Sequence, residues 1–364
     1  MRKWVLEYLR CPKCATRVVA TTLELNSAGE VWAGILDCAN AQCRAWYPVV
    51  HGIPRLLEES LRPGITRDFI IKYKLDRPCE DRRPAPSLNS LKTHTICNFG
   101  YEWTRYDRFG WDDPVYNIQR EKVVFHEKSL MEPGDFKDKL VLDAGCGNGR
   151  YSYWAAQYGA RVIGIDLGEG VESAGKNTAA LAEVQIIQAD IFHLPFADSS
   201  FDAIFSIGVL MHTGDAKAAA RSLVAKLKPG GSLSITLYGK GNPIYEWVDR
   251  RMRQWTTRMS VEELEDFTRR AYTLRRALER IGVANQIARF IRFDPHPHCI
   301  FDWYAAPIAT HHSYTEAKQW FREMQLEGIR ANDGYLRSQS TLRKWLHKYV
   351  GSSETVTIRG EAAK

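Results

Sequence analysis

The densest chemistry in the chain sits in Asp143-Ala144-Gly145-Cys146-Gly147-Asn148-Gly149. Glycines at 145, 147 and 149 let the backbone turn tightly and approach a ligand without Cβ clashes. A helix opening after them offers unpaired N–H groups to a polar ligand end. Asp143 closes the apolar run Leu140-Val141-Leu142, where a carboxylate can hold a cationic amine directly or through water. Two further acids end apolar runs. Asp166 follows Val162-Ile163-Gly164-Ile165, and a carboxylate there accepts both hydroxyls of a ribose, as in nucleotide-binding βαβ units. Asp190 follows Val184-Gln185-Ile186-Ile187-Gln188-Ala189 and is placed for an exocyclic adenine amine, with Ile191 packing on the ring. The glycine spacing is G-x-G-x-G with an aspartate two positions ahead, not the G-x-G-x-x-G of dinucleotide sites. The pattern therefore points to an amino-acid-bearing nucleoside.

A second cluster is cysteine-based. Cys11-x2-Cys14 and Cys38-x4-Cys43 supply four thiolates, enough for a tetrahedral structural zinc site with no open position for catalysis. The other four cysteines are scattered, which argues for metal binding in a reducing compartment rather than a disulfide framework. A module this small has little core, so a metal would supply much of its folding free energy.

The elements that must position these residues follow from patterning. Residues 1–57 read as a compact β-rich module, and 58–95, with Pro63, Pro78, Pro84 and Pro86, as a linker with at most one short helix. From Leu140 the pattern alternates strand and helix: strands at 139–143, 161–166, 184–189, 201–207 and 232–238, helices at 151–159, 169–180 and 215–227. Residues 243–293 look helical and amphipathic, and a helix over 315–326 opens at Ser313 or Thr315. The expected organisation is a ribbon-like module at 1–57, the linker, a main α/β domain at 96–350 with a helical cap at 241–314, and a tail at 351–364. The 364 residues carry 50 Lys and Arg against 43 Asp and Glu, a net charge of +7, a modest excess for a polyanion-binding surface. No apolar stretch approaches bilayer length and the first residues lack a secretory h-region, so a cytoplasmic protein without a membrane segment is expected.

Residues 140–238 resemble the class I methyltransferase core, also through Leu194-Pro195-Phe196, Ser200-Phe201-Asp202-Ala203-Ile204 and Leu227-Lys228-Pro229-Gly230-Gly231. The resemblance implies S-adenosylmethionine as methyl donor and a Rossmann-like α/β fold: a seven-stranded sheet with a reversed last strand and helices on both faces. It assigns Asp143, Gly145, Gly147 and Gly149 to the cofactor loop, Asp166 to the ribose and Asp190 to the adenine side, with Leu167, Ile191 and Ile207 as further contacts. Residues 1–57 resemble the zinc ribbons that precede some bacterial methyltransferase cores, also through Tyr47-Pro48-Val49-Val50-His51-Gly52-Ile53-Pro54.

Within that resemblance, the aromatic segment Phe99–Tyr106 is expected to fold over the cofactor. Trp103 or Tyr106 would cover the adenosine, and Arg105 would reach the methionine carboxylate or a substrate anion. His212, in the segment after the fourth strand, is the general-base candidate. Phe301-Asp302-Trp303-Tyr304 and His311-His312 resemble a D-W-Y…H-H stretch of bacterial methyltransferases acting in small-molecule and surface-glycan pathways. That resemblance places Asp302, Tyr304 and His311 in a polar patch facing the methyl group. No N-P-P-Y-like motif follows the fourth strand, which reads Ser206-Ile207-Gly208-Val209, so methylation of a base or amide nitrogen is disfavoured. The leading expectation is methyl transfer to O or N of a small-molecule acceptor. The alternative is an RNA methyltransferase whose zinc ribbon grips phosphate through Lys13, Arg17 and Arg44.

Overall fold

A computed structural model describes residues 1–77, 89–333 and 355–364. The chain opens with four strands, β1 (Val18–Leu25), β2 (Val31–Cys38), β3 (Trp46–Val50) and β4 (Ile53–Leu56), paired as an antiparallel meander. Helices α1 (Pro63–Tyr73), α2 (Asn89–Arg105) and α3 (Ile118–Ser129) follow. The α/β core then runs β5 (Leu140–Ala144), α4 (Arg150–Gln157), β6 (Arg161–Asp166), α5 (Gly170–Asn177), β7 (Val184–Ala189), β8 (Phe201–Ile207), α6 (Ala216–Val224) and β9 (Leu227–Tyr238). Four helices come next: α7 (Pro243–Thr256), α8 (Val261–Arg280), α9 (Ala284–Ile287) and α10 (Pro297–Ala305). The described chain ends with α11 (Tyr314–Glu323), β10 (Leu326–Ala331) and β11 (Thr355–Ala362).

The central strands are apolar on both faces because helices cover both. Leu140, Leu142 and Ala144 of β5 enter one core with Leu223 of α6 and Phe321 of α11, whereas Val141 enters the other with Phe125 of α3 and Tyr151 of α4. The order β7-β6-β5-β8-β9 is parallel throughout, and β11 closes antiparallel between β9 and β10. This is the expected seven-stranded sheet with its last strand reversed. The direction of winding changes between β5 and β8, which opens a crevice at their carboxyl ends, the place where open α/β sheets take ligands.

Three expectations about organisation need correction. The N-terminal module is not a separate bead: β4 pairs parallel with β7, Arg55 opposite Gln188, so the meander extends the sheet to 11 strands. Buried Arg55 secures the join by donating to Gln188 Oε1 at 3.2 Å and pairing with Glu172. The short helix allowed in the linker is α1, but α2 begins at Asn89, inside the span read as linker. The expected tail is β11, because Val356 and Ile358 bury their side chains in the core and residues 355–361 pair with β9. The remaining linker residues, 78–88, and residues 334–354 lie outside the described residues.

The cap has its own core of Tyr245, Leu264, Ile300, Phe301, Trp303 and Tyr304. Asp249 holds it together, accepting from Trp303 Nε1 at 2.6 Å and from Arg253 Nε at 2.9 Å. The chain returns to the sheet through an extended strap, residues 306–313, where His312 N donates to Tyr238 O at 2.8 Å and Lys240 N donates to His312 O at 3.0 Å. Ser313 and Glu316 then form a capping box that starts α11.

Candidate active site

The glycine loop crosses the top of β5 and folds back on β6. Gly145 N and Cys146 N donate to Ile165 O at 2.8 and 2.9 Å, Gly149 N donates to Cys146 O at 2.8 Å, and Gly147 N donates to Asp166 Oδ2 at 3.0 Å. These four amides are therefore committed within the protein, and the loop lines the cavity with Gly145, Cys146 and Gly147, two of the three without a side chain. Gly145 has φ +94°, and a Cβ there would overlap the Val209 side chain; Gly147 has φ +52°, and its Cβ would meet Trp103 Cε2 at 2.9 Å.

Beside the loop lies a cavity of about 420 Å3. Gly145, Gly147, Asp166, Leu167, Asp190, Ile191, Ile207 and Trp103 all line it, so most of the residues assigned to a cofactor meet in one place. Asp166 Oδ1 also accepts from Gly168 N at 3.0 Å. Each of its oxygens keeps a lone pair for a ribose hydroxyl. Burial raises the Asp166 carboxyl above the ordinary range. Asp190 accepts from Phe192 N at 3.0 Å and lies 3.3 Å from His193 Nδ1. Trp103 reaches the cavity through the spacing of α2: Thr95, Phe99 and Trp103 recur every four residues and turn one helix face to it.

Two more assigned residues, His212 and Asp302, also line this cavity. His212 Nδ1 contacts the Ile308 carbonyl oxygen at 2.7 Å, and that acceptor makes Nδ1 the protonated nitrogen. Its Nε2 is buried with no hydrogen-bond partner. Burial lowers the His212 pKa from 6.5 to about 3, so the ordinary value expected for a base does not hold here. Asp302 accepts a long hydrogen bond from Tyr238 Oη at 3.4 Å, and burial raises its carboxyl.

Five assigned residues fall outside the cavity wall. Asp143 lies behind the loop, accepting from Ser152 Oγ at 2.6 Å, and burial pushes its carboxyl up to about 7. Gly149 caps α4 and packs against Ala174 and Thr178. Arg105 is two residues past Trp103, on the far side of α2, where it pairs with Glu265 at 3.3 Å. Tyr304 is turned away from Asp302 in the same manner on α10; its hydroxyl donates to Arg292 O at 3.0 Å inside the cap. His311 points to the cap, with Nδ1 2.8 Å from Glu246 Oε2.

Arg150 lines the cavity, and sequence reasoning missed it. It opens α4, its guanidinium lies 5.0 Å from the Trp103 ring centroid, and its Nε donates to Glu121 Oε2 at 2.9 Å. A cation in the first turn of a helix, where the dipole favours acids, was the available signal.

At the far edge of the sheet, the Sγ atoms of Cys11, Cys14, Cys38 and Cys43 lie within 4.8 Å of one another. Cys11 Sγ is 3.8 Å from Cys43 Sγ and Cys14 Sγ is 3.4 Å from Cys38 Sγ. A tetrahedral Zn–S4 site, with Zn–S near 2.3 Å, requires sulfurs about 3.8 Å apart, so the cluster is compatible with zinc. The C-x4-C spacing of the second pair does not prevent convergence.

The methyltransferase domain family matches residues 142–235. A ubiquinone biosynthesis O-methyltransferase of Coxiella burnetii is 33% identical over 166 residues, which cover 44% of this chain and 68% of that one. A malonyl-(acyl-carrier protein) O-methyltransferase of Hamiltonella defensa is 35% identical over 31% of this chain and 43% of its own. A tRNA U34 carboxymethyltransferase of Desulfotalea psychrophila is 33% identical over 29% and 34%. The chain thus spans between 34% and 68% of the length of these curated relatives. Among the described residues no helix is long and apolar enough to cross a membrane. With the glycine loop, the strand-end acids and these matches together, the chain belongs to the class I S-adenosylmethionine-dependent methyltransferases.

Proposed function

We propose that the protein methylates an oxygen or nitrogen of a small-molecule acceptor held beneath the helical cap. The observation that carries this reading is that Asp166 and Asp190 line the same cavity as His212 and Asp302. The donor supplies an electrophilic methyl on a sulfonium. What the chain must add is proximity and alignment. Asp166 takes the ribose hydroxyls, Asp190 the adenine amine, and Trp103 closes over the nucleoside. Asp143, from behind the loop, stabilises the donor's cationic amine through the intervening shell.

His212 stays neutral, and its proton on Nδ1 leaves the Nε2 lone pair for the acceptor's hydroxyl. A base with a depressed pKa is adequate here, because the oxygen sheds its proton only as it bonds to carbon. An amine acceptor would rely on His212 less. The test is methyl release from labelled S-adenosylmethionine against cell-extract fractions, with and without ribonuclease. Transfer that survives ribonuclease is expected. Its loss would favour the second reading, RNA methylation, which the exposed Lys13, Arg17 and Arg44 on the ribbon support. That reading also requires binding that weakens steeply with salt. The ribbon joins the sheet beside β7, whereas His212 follows β8, three strands away across β6 and β5, and this separation favours the small molecule.

The four cysteines are assigned to one structural zinc. A dication at their centre would let all four be thiolates at separations where like charges repel.

A further inference from the structure

A second cavity, of about 1060 Å3, opens between α7 and the strap. It stands past the end of β9, where Lys240–Pro243 form one rim, on the same carboxyl edge of the sheet as the donor cavity. Glu246, Asp249, Arg250 and Arg253 line it from one face of α7, and His311 lines it from the strap. The acids of this cavity are already matched. Glu246 accepts from Gly241 N and faces His311 Nδ1 at 2.8 Å, Asp249 holds Arg253 Nε and Trp303 Nε1, and Glu316 takes Lys240 Nζ at 2.9 Å. The cationic side is not. Arg253, 8% exposed, keeps Nη2 without a hydrogen bond, and Arg250 is exposed on the rim with no ion pair among the described residues, whereas His311 Nε2 lies 3.8 Å from Asp249 Oδ2. A buried charged donor left unmatched is costly, and the spare capacity of the cavity is donor capacity.

We infer that this cavity is a binding site, distinct from the donor cavity, for a small molecule bearing an oxyanion, either carboxylate or phosphate. Arg253 and Arg250 anchor the anion, and His311, oriented by Glu246, meets a polar group beside it. The ligand lies against the strap that also carries Ile308, the partner of His212.

The test is calorimetric titration of the full chain with inorganic phosphate and, separately, with citrate, at constant ionic strength and without methyl donor. Its outcome is thus independent of the methyl-transfer reading. Saturable binding of at least one anion is expected. Arg250→Gln, a rim change that leaves the fold intact by circular dichroism, should weaken it by roughly tenfold or more. Arg253→Gln should abolish it, while Arg276→Gln, on the exposed face of α8, should leave it unchanged. Heat from phosphate alone or from citrate alone assigns the anion class. No heat from either, wild-type affinity in Arg250→Gln, or equal weakening by Arg276→Gln would overturn the site.

Discussion

His212 and Ile308 are joined by one hydrogen bond, Nδ1 to carbonyl oxygen at 2.7 Å, that ties the loop after β8 to the strap leaving the cap. The contact fixes the tautomer of the only histidine among the described residues on the donor-cavity wall. It also makes the cap part of the active site, since a shifted strap would release the ring.

His212→Ala should leave donor affinity unchanged and lower kcat for a hydroxyl acceptor by about 10²–10⁴-fold. Donor Kd by calorimetry and kcat by methyl release separate the two effects. An unaltered kcat would remove His212 from the reaction.

Acid should destabilise the fold through buried histidines. Burial holds His212 at about 3 and His298 well below 6.5, so the unfolded chain binds more protons between those values. Stability contributed by these neutral rings is complete above pH 6.5 and is lost as pH falls toward 3. The raised carboxyls of Asp143, Asp166 and Asp302 act in the opposite sense, so the histidine contribution is read as a difference: compared with the wild type, His212→Gln should raise Tm at pH 5 relative to pH 7. An identical pH dependence of Tm in both proteins would contradict the buried, neutral assignment.

Donor binding should release a proton from Asp143. Its carboxyl is raised to about 7, and a cationic amine nearby would lower it. Calorimetry with S-adenosylhomocysteine at pH 6.5, in two buffers of different ionisation enthalpy, should report net release. Asp143→Asn should abolish that release; its persistence in the variant would assign the proton elsewhere.

Zinc removal should reach the adenine wall. Leu9 bridges Phe196, Arg10 N donates to Pro195 O at 2.8 Å, and β4 lies against β7, which ends at Ala189, next to Asp190. Chelation or Cys14→Ser should lower Tm and accelerate hydrogen exchange in residues 190–196. Exchange there that matches the untreated protein would uncouple the ribbon from the donor site.

Much of this was legible in the sequence because it depends on local pattern. The strands at 161–166, 184–189 and 201–207 were readable from apolar runs closed by an acid or glycine, and the loop from its glycine spacing. Side-chain direction on helices was not. Trp103 faces the cavity while Arg105 does not, and Asp302 does while Tyr304 does not, because two residues along a helix turn a side chain about 200° away. Long-range pairing was equally hidden. Nothing near Thr355 signals that it crosses beside β9, and nothing near Ile53 signals β7 as partner. Both joins rest on buried side chains contributed by distant segments, Ile358 to the sheet core and Arg55 to Gln188 and Glu172.

The most direct measurement is calorimetric binding of S-adenosylhomocysteine to the wild type and to Asp166→Asn. Saturable binding by the wild type, weakened by roughly tenfold or more in the variant, is the predicted result. Equal affinity in both proteins, or no uptake of this ligand alongside clear uptake of a nicotinamide dinucleotide, would contradict the assignment of the strand-end acids.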